Sequence, residues 1–240
     1  MISSEEDAPM KDEITIIGTP ISPYVRKVLA ILDIKGVPFR CVPQIPFTGD
    51  ADFTRISPLR RIPVLKHGDF TIPDSSVIAQ YLEEKFPENP VYPSDVEARA
   101  RARWFEEYAD DHMGRNVLFP LFFQRRVRPV VLKEPTDEAV VAKAINEDLP
   151  EILDYLESQL PDEGYLCGPL SVGDIAIGSL MRNAFWADWT LDATRWPGVA
   201  AYLGRLYREP TMAKLNSLAE SMLGRSPKDH PAIVDEFFAA

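Results

Sequence analysis

The stretch GTPISPYVRKV, Gly18 to Val28, lies at the seam between two kinds of pattern. Before it, Ile14 to Ile17 is a short β-branched run that reads as a strand. After it, Val25, Val28, Leu29 and Leu32 recur at offsets of three, four and seven, the spacing of one helix face. Pro23 suits the first helical position, where its missing N–H costs nothing and its φ is preset. That makes Ser22 the N-cap. Gly36 ends the helix, and Val37 to Val42 reads as a second strand, completing a βαβ unit.

Working outward, PQIPFTGDADFTRISPLRR is dense in breakers and reads as irregular. Ile62 to Leu65 and Phe70 to Ile72 flank His67-Gly68-Asp69, a predicted hairpin. PDSS then opens a helix whose apolar side is Val77, Ile78, Tyr81, Leu82 and Phe86. The order is βαβ, then ββα. Pro87, Pro90 and Pro93 punctuate a linker, and beyond it the pattern predicts helices alone. One spans Trp104 to His112, with Pro120 or Pro129 kinking or stopping its sequel. Another carries Ile145, Leu149, Ile152, Leu153, Leu156 and Leu160, interrupted by Pro150. Ser171 and Asp174 form a capping box before Ile175 to Phe185. Pro197 starts a further helix, and Thr211 caps the one after Pro210. The expected division is a disordered lead-in at 1–12, a small α/β domain at 13–87, a linker at 88–95 and an all-helical domain at 96–240.

Composition narrows the function classes. The chain is 45% hydrophobic and 26% charged, the balance of a globular protein with a substantial core. A formal net charge of -11 repels phosphate backbones, which argues against nucleic acid. No apolar run approaches the roughly 18 residues of a membrane span. The start, MISSEEDAPMKDE, lacks the basic-then-apolar pattern of an export signal, so a cytoplasmic location is expected. Cys41 and Cys167 lie far apart with no C-x-x-C pair. The three histidines show no metal-ligand spacing, and no metal is expected. Dinucleotide, P-loop and nucleophile-elbow motifs are missing.

Three places carry candidate chemistry. Ser22 has two readings. Its oxygen can cap the helix by accepting from a backbone N–H near Val25. Alternatively, the hydroxyl turns outward and donates to an anion held at the helix start. A thiolate is such an anion. Lowering a thiol from about 8.5 by two units takes about 2.7 kcal/mol. The helix field contributes roughly 0.3–1 kcal/mol, and a hydrogen bond to a charged group about 1.5–3. Together, not singly, they reach the requirement comfortably. The second place is Ile62-Pro63. A cis peptide would turn the backbone groups of Ile62 outward to pair with an extended peptide; a trans proline at a strand start is the plainer alternative. The third is Asp74-Ser75. If Ser75 caps the next helix, Asp74 is spare to hold an ammonium, while the helix start takes a carboxylate. These pieces suit a small peptide carrying a thiol, an amino group and carboxylates.

SPYVRKV (22–28), SPLRRIPVL (57–65), IPDSSVIAQYL (72–82) and LSVGDIAIGS (170–179), in this order and spacing, resemble the glutathione transferase superfamily from about Ile14 to Ala219. The resemblance implies a thioredoxin-like α/β domain followed by an all-α domain, usually in a homodimer. Glutathione is the implied co-substrate. Ser22 matches the serine that hydrogen-bonds its thiolate in serine-type members; Thr19 and Tyr24 are the alternatives. Ile62 matches the residue pairing with the cysteinyl part, Pro63 the cis-proline, and Asp74 and Ser75 the pair holding the γ-glutamyl group. The family's frequent Lys or His about a dozen positions before that proline is absent, so the resemblance turns to Arg61, or else Arg60, for the glycyl end. Arg26 is read as one half of an intradomain ion pair. Tyr24, His112, Met113 and Trp186 match positions near the second-substrate pocket, with core packing as the other reading. The expected activity is conjugation of glutathione to a hydrophobic electrophile, a detoxifying reaction. The alternatives are a non-catalytic ligand binder, or a glutathione-dependent isomerase, dehalogenase or ether-cleaving enzyme.

Overall fold

The computed structural model describes residues 13–46 and 49–239; the lead-in at 1–12 lies outside the described residues. Strand β1 (Ile14–Ile17) runs parallel to β2 (Phe39–Val42) and antiparallel to β3 (Val64–His67), which pairs with β4 (Phe70–Pro73). The sheet order is β2-β1-β3-β4. Ile14 and Ile16 enter the core while Thr15 and Ile17 are half-buried, the period of two that a strand imposes. Helix α1 (Pro23–Lys35) connects β1 to β2 and buries Val25, Val28, Leu29 and Leu32 completely. Gly36 closes it at φ 65°, the left-handed conformation glycine adopts without penalty. In the β3–β4 hairpin His67 pairs with Phe70, so the turn is Gly68-Asp69 alone.

The breaker-rich stretch holds a short helix, α2 (Ala51–Ile56), where an irregular path was predicted. Asp50 caps it by accepting from the Phe53 N–H at 2.9 Å, and the buried Phe53 anchors it. Helix α3 (Ser75–Lys85) buries Ile78, Ala79 and Leu82. Val77, predicted on its apolar side, is exposed, and Phe86 falls just past its end.

The remaining elements are helical: α4 (Val96–Glu107), its continuation Tyr108–Leu132, α5 (Glu138–Lys143), a turn at Ala144–Asp148, α6 (Leu149–Gln159), α7 (Val172–Trp186), α8 (Pro197–Leu206), α9 (Pro210–Met222) and α10 (His230–Ala239). Pro120 and Pro129 do not end the long helix; both sit inside Tyr108–Leu132. Burial of Ala109, Met113, Val117, Leu118, Leu121 and Phe122 along it outweighs the local cost of the prolines. Pro150 does not stop the run: the chain stays helical from Glu138 through Ala144–Asp148 into α6, whose second residue it is. Thr211 is not a cap; Glu209 precedes α9, and the Thr211 hydroxyl donates to Asp33 on α1.

Helix α7 is the hub. It packs against α1, α4 and Tyr108–Leu132. Its start is pinned by Asp174, which accepts from the Ser171 N–H (2.9 Å), the Leu166 N–H (3.1 Å) and the Tyr202 hydroxyl (2.9 Å). The architecture is a thioredoxin-like N-terminal domain followed by a mostly helical C-terminal region. Among the described residues no helix is long and apolar enough to cross a membrane. Cys41 and Cys167 are both free thiols, and burial pushes Cys41 up to about 12.

Candidate active site

The N-terminus of α1 opens beside the β1–α1 loop. Ser22 is its N-cap by backbone conformation, with φ -69° and ψ 129°, yet its side chain makes no capping bond. The hydroxyl is half-buried and has no hydrogen-bond partner among the described residues. Of its neighbours, the Thr19 oxygen accepts from the Ile21 N–H at 3.4 Å. The Tyr24 hydroxyl donates to the Asp110 carbonyl at 3.1 Å, and burial together with Asp110 lifts its pKa well above the ordinary tyrosine value. Ser22 therefore carries the uncommitted hydroxyl of the three.

The Ile62–Pro63 peptide is cis. Neither the N–H nor the C=O of Ile62 enters a backbone hydrogen bond among the described residues. Gly18 brings this loop against the start of α1: a Cβ there would lie 2.6 Å from Val25 Cγ2 and 3.1 Å from Ile62 Cβ. The two arginines next to the turn divide their work. Arg60 donates to the Gly49 carbonyl and, at 3.1 Å, to Thr54 Oγ1, and so braces α2. The Arg61 side chain is exposed and makes no hydrogen bond or ion pair among the described residues. Its backbone is fixed by Ser57, whose hydroxyl accepts from the Arg61 N–H (3.0 Å) and donates to the Arg61 carbonyl (2.7 Å).

At α3 the structure decides between the two caps that the sequence offers. Asp74, not Ser75, is the cap: its Oδ1 accepts from the N–H groups of Ser76 (3.0 Å) and Val77 (3.2 Å). Asp74 is thus not spare, although it is exposed and its second oxygen stays open. It holds φ 84°, a region that a non-glycine residue enters rarely. Ser75 is buried, with its hydroxyl 3.4 Å from Asp110 Oδ2.

A cluster that the sequence reading missed lies under this turn. Lys27 of α1 is fully buried and donates to Ser76 Oγ (3.1 Å), Glu106 Oε1 (2.9 Å) and Asp110 Oδ2. Ser76 donates to Asp110 at 2.9 Å, and the Tyr92 hydroxyl to Glu106 at 3.0 Å. Burial works against the Lys27 charge, but Asp110 and Glu106 outweigh it and hold its pKa above the ordinary value. The signal was present: Arg26-Lys27 are the only charges in Val25 to Leu32.

Arg26 corrects an expectation, since no carboxylate pairs with it among the described residues. It donates instead to the Pro20 and Ile21 carbonyls, to the Ser179 carbonyl and to Asn183 Oδ1.

The four residues matched to a second-substrate pocket have different surroundings. Tyr24 reaches from α1 to Tyr108–Leu132, with its hydroxyl against Gly114. Met113 is buried in the core. His112 is exposed, with its ring 5.0 Å from Tyr108. The Trp186 ring lies 4.5 Å under the Arg26 guanidinium. No hydrogen bond or ring contact joins His112, Met113 and Trp186 among the described residues. No group of three or more His, Cys, Asp or Glu that could hold a metal occurs among them either.

A thioredoxin-like α/β domain with a cis Ile62–Pro63 peptide, joined to a helical region, sets the class of fold. Comparison with known proteins makes it particular. Residues 16–90 match the family model for the glutathione S-transferase N-terminal domain. Glutathione S-transferase 3 of Zea mays is 34% identical over 166 residues, covering 67% of this chain and 71% of the relative. A solved glutathione S-transferase from Methylobacterium radiotolerans, in complex with glutathione sulfonate, is 28% identical at a TM-score of 0.67, covering 84% of this chain and 93% of that one. A glutathione S-transferase from Rhodospirillum rubrum shares the fold at TM-score 0.79 and 23% identity, over 92% of this chain and 99% of that one. The chain belongs to the glutathione S-transferase family and is a transferase of that family.

Proposed function

We propose that the protein is a serine-type glutathione transferase that ionises the glutathione thiol at Ser22 and adds it to a hydrophobic electrophile. The observation that carries this reading is the Ser22 hydroxyl, which stands at a helix N-terminus without capping it. A thiolate there receives the hydroxyl's hydrogen bond and the field of the free N–H groups. The unpaired backbone of Ile62 suits the cysteinyl part as a short sheet edge. The open Asp74 oxygen suits the γ-glutamyl ammonium, and the start of α3 at Ser75 its carboxylate. Arg61, unengaged among the described residues, suits the glycyl carboxylate. Rate then comes from a larger ionised fraction and from holding sulfur near the electrophile. A cytoplasmic homodimer is the assembly we expect.

Ser22→Ala tests the reading. Turnover with a broad electrophile falls tenfold or more, about 1.4 kcal/mol or above, and the pKa of the bound thiol rises. Unchanged turnover and pKa would remove Ser22 from this role. Retention on immobilised glutathione with no conjugation of any electrophile in a broad panel would make the protein a binder instead.

A further inference from the structure

An N-cap residue ordinarily secures the junction between loop and helix with its own side chain. Ser22 does not, and the junction is held from elsewhere. Arg26, 1% exposed, donates through one terminal nitrogen to the carbonyls of Pro20 (3.0 Å) and Ile21 (2.9 Å), the two residues just before Ser22. Its other terminal nitrogen donates to the Ser179 carbonyl and, at 2.6 Å, to Asn183 Oδ1, both on α7. Asn183, fully buried, returns a bond from its Nδ2 to the Ile21 carbonyl at 3.1 Å. The Trp186 ring floors the guanidinium. The Arg26 N–H also makes the first helical bond, to the Ser22 carbonyl at 3.0 Å.

We propose that Arg26 and Asn183 are positioning residues that hold the Pro20 and Ile21 carbonyls at the start of α1 and so keep the Ser22 hydroxyl aimed away from the helix, free for the glutathione sulfur. This rests on the reading of Ser22 given above. The guanidinium fork is what the task needs: it bridges two successive carbonyls with one planar group and still reaches α7 with its second nitrogen. With no carboxylate partner among the described residues, the Arg26 charge meets carbonyl oxygens and the Trp186 ring, at the helix end whose field favours an anion. Without the fork the Pro20 carbonyl loses the Arg26 bond, and Ile21 keeps only the bonds to Asn183 Nδ2 and Thr19 Oγ1. Ser22 then turns inward to the free N–H groups of the first turn, the ordinary behaviour of a serine at this position.

The test uses the full chain and three substitutions, Ser22→Ala, Asn183→Ala and Arg26→Lys, the last keeping the charge but not the fork. The readouts are the pKa of enzyme-bound glutathione, followed by thiolate absorbance against pH, kcat and KM for glutathione, and Tm. Asn183→Ala and Arg26→Lys are each expected to raise the thiol pKa and to lower kcat by about threefold to tenfold, with KM for glutathione changed by less than about twofold. In the Ser22→Ala background Asn183→Ala then has no further effect on the thiol pKa, because both act through one hydroxyl. If Ser22→Ala raises the thiol pKa while the other two lower only Tm, the clamp is an interdomain tie and the proposal is overturned with the role of Ser22 intact. If Ser22→Ala itself leaves the thiol pKa unchanged, the reading of Ser22 fails and takes this proposal with it.

Discussion

Lys27 and Asp110, 83 positions apart, meet beneath the first turn of α3 and tie the α/β domain to the long helix. Glu106 completes the ion cluster, and the Ser76 hydroxyl links it to the turn that carries Asp74. Desolvating such charges offsets most of their mutual attraction, so the cluster's value lies in what happens when one member is removed. Lys27→Met leaves two carboxylates facing each other without a cation, and is expected to cost about 3–5 kcal/mol in urea unfolding. The pH dependence has a defined sign. The folded-state pKa of Lys27 lies above its ordinary 10.5, so its contribution is complete below 10.5 and disappears as pH rises through the folded value. Buried tyrosines also lose stability in alkali, so the measurement is the difference: from neutral pH upward, the wild-type midpoint should fall further than that of Lys27→Met.

Asp74 joins two tasks that substitutions can separate. Asn at 74 keeps a capping oxygen and tolerates positive φ, but carries no charge. Asp74→Asn should therefore retain most of the stability while weakening glutathione binding. Asp74→Ala loses the cap as well, and should cost about 0.5–2 kcal/mol of stability on top of the affinity. Calorimetric titration with glutathione beside thermal unfolding separates the two effects. Equal affinity in wild type and Asp74→Asn would detach the carboxylate from ammonium binding.

What the sequence disclosed and what it withheld follow from the range of the interactions. The seam at Gly18–Val28, the four strands and the helix start at PDSS were legible because periodicity and caps are local. Asp74 and Ser75 both read as caps, and only the backbone, with Asp74 at φ 84°, shows which one serves. The partners that tie Arg26 and Lys27 to the helical region were not legible, since Ser179 and Asn183 lie on α7 and Glu106 and Asp110 lie beyond the linker. The same holds for Pro120 and Pro129: local propensity argues for a break, and burial of the flanking face overrides it. At Ser22 the local rule predicts a capping bond that the structure lacks, and a departure from a local rule is where function is to be sought.

Arg61 offers a test that uses the ligand rather than the protein as control. Its guanidinium has no partner among the described residues, whereas Arg60 is occupied with α2. Arg61→Gln should weaken glutathione by about 1.5–3 kcal/mol, the worth of a charged hydrogen bond. Esterifying the glycyl carboxylate should weaken binding to the wild type similarly, and the ester should bind wild type and Arg61→Gln alike. An ester that still discriminates between them would place the Arg61 contact elsewhere on the peptide.

His230, at the start of α10, is buried with its Nε2 unpartnered among the described residues. Burial pushes its pKa below 6.5, against the backbone bonds at Met222 and Arg225 that pull it up. The unfolded chain then binds the proton more readily, so stability should decline as pH falls through 6.5. His230→Asn keeps a donor on the same side of the residue without the titration, and should flatten the decline between neutral pH and about pH 5.5. Parallel slopes for the two proteins would show that other groups govern acid sensitivity.

Tyr24 and Gly114 provide the last test, one in which a steric conflict and a helix preference oppose each other. A Cβ on Gly114 would lie 2.6 Å from the Tyr24 hydroxyl oxygen, well inside contact distance. That oxygen belongs to a half-buried ring whose hydroxyl donates to the Asp110 carbonyl, which limits its room to retreat. Alanine in place of glycine favours a helix by about 0.8–1.0 kcal/mol, while overpacking costs typically about 1–3. Gly114→Ala alone should therefore be neutral to destabilising. Tyr24→Phe removes the clashing atom, and in that background Gly114→Ala should become stabilising by up to about 1 kcal/mol. The coupling in the double-mutant cycle measures how tightly α1 is seated against the long helix. Additive effects would mean that the ring moves aside freely, and that this contact does not fix the distance between the Ser22 helix and the helical domain.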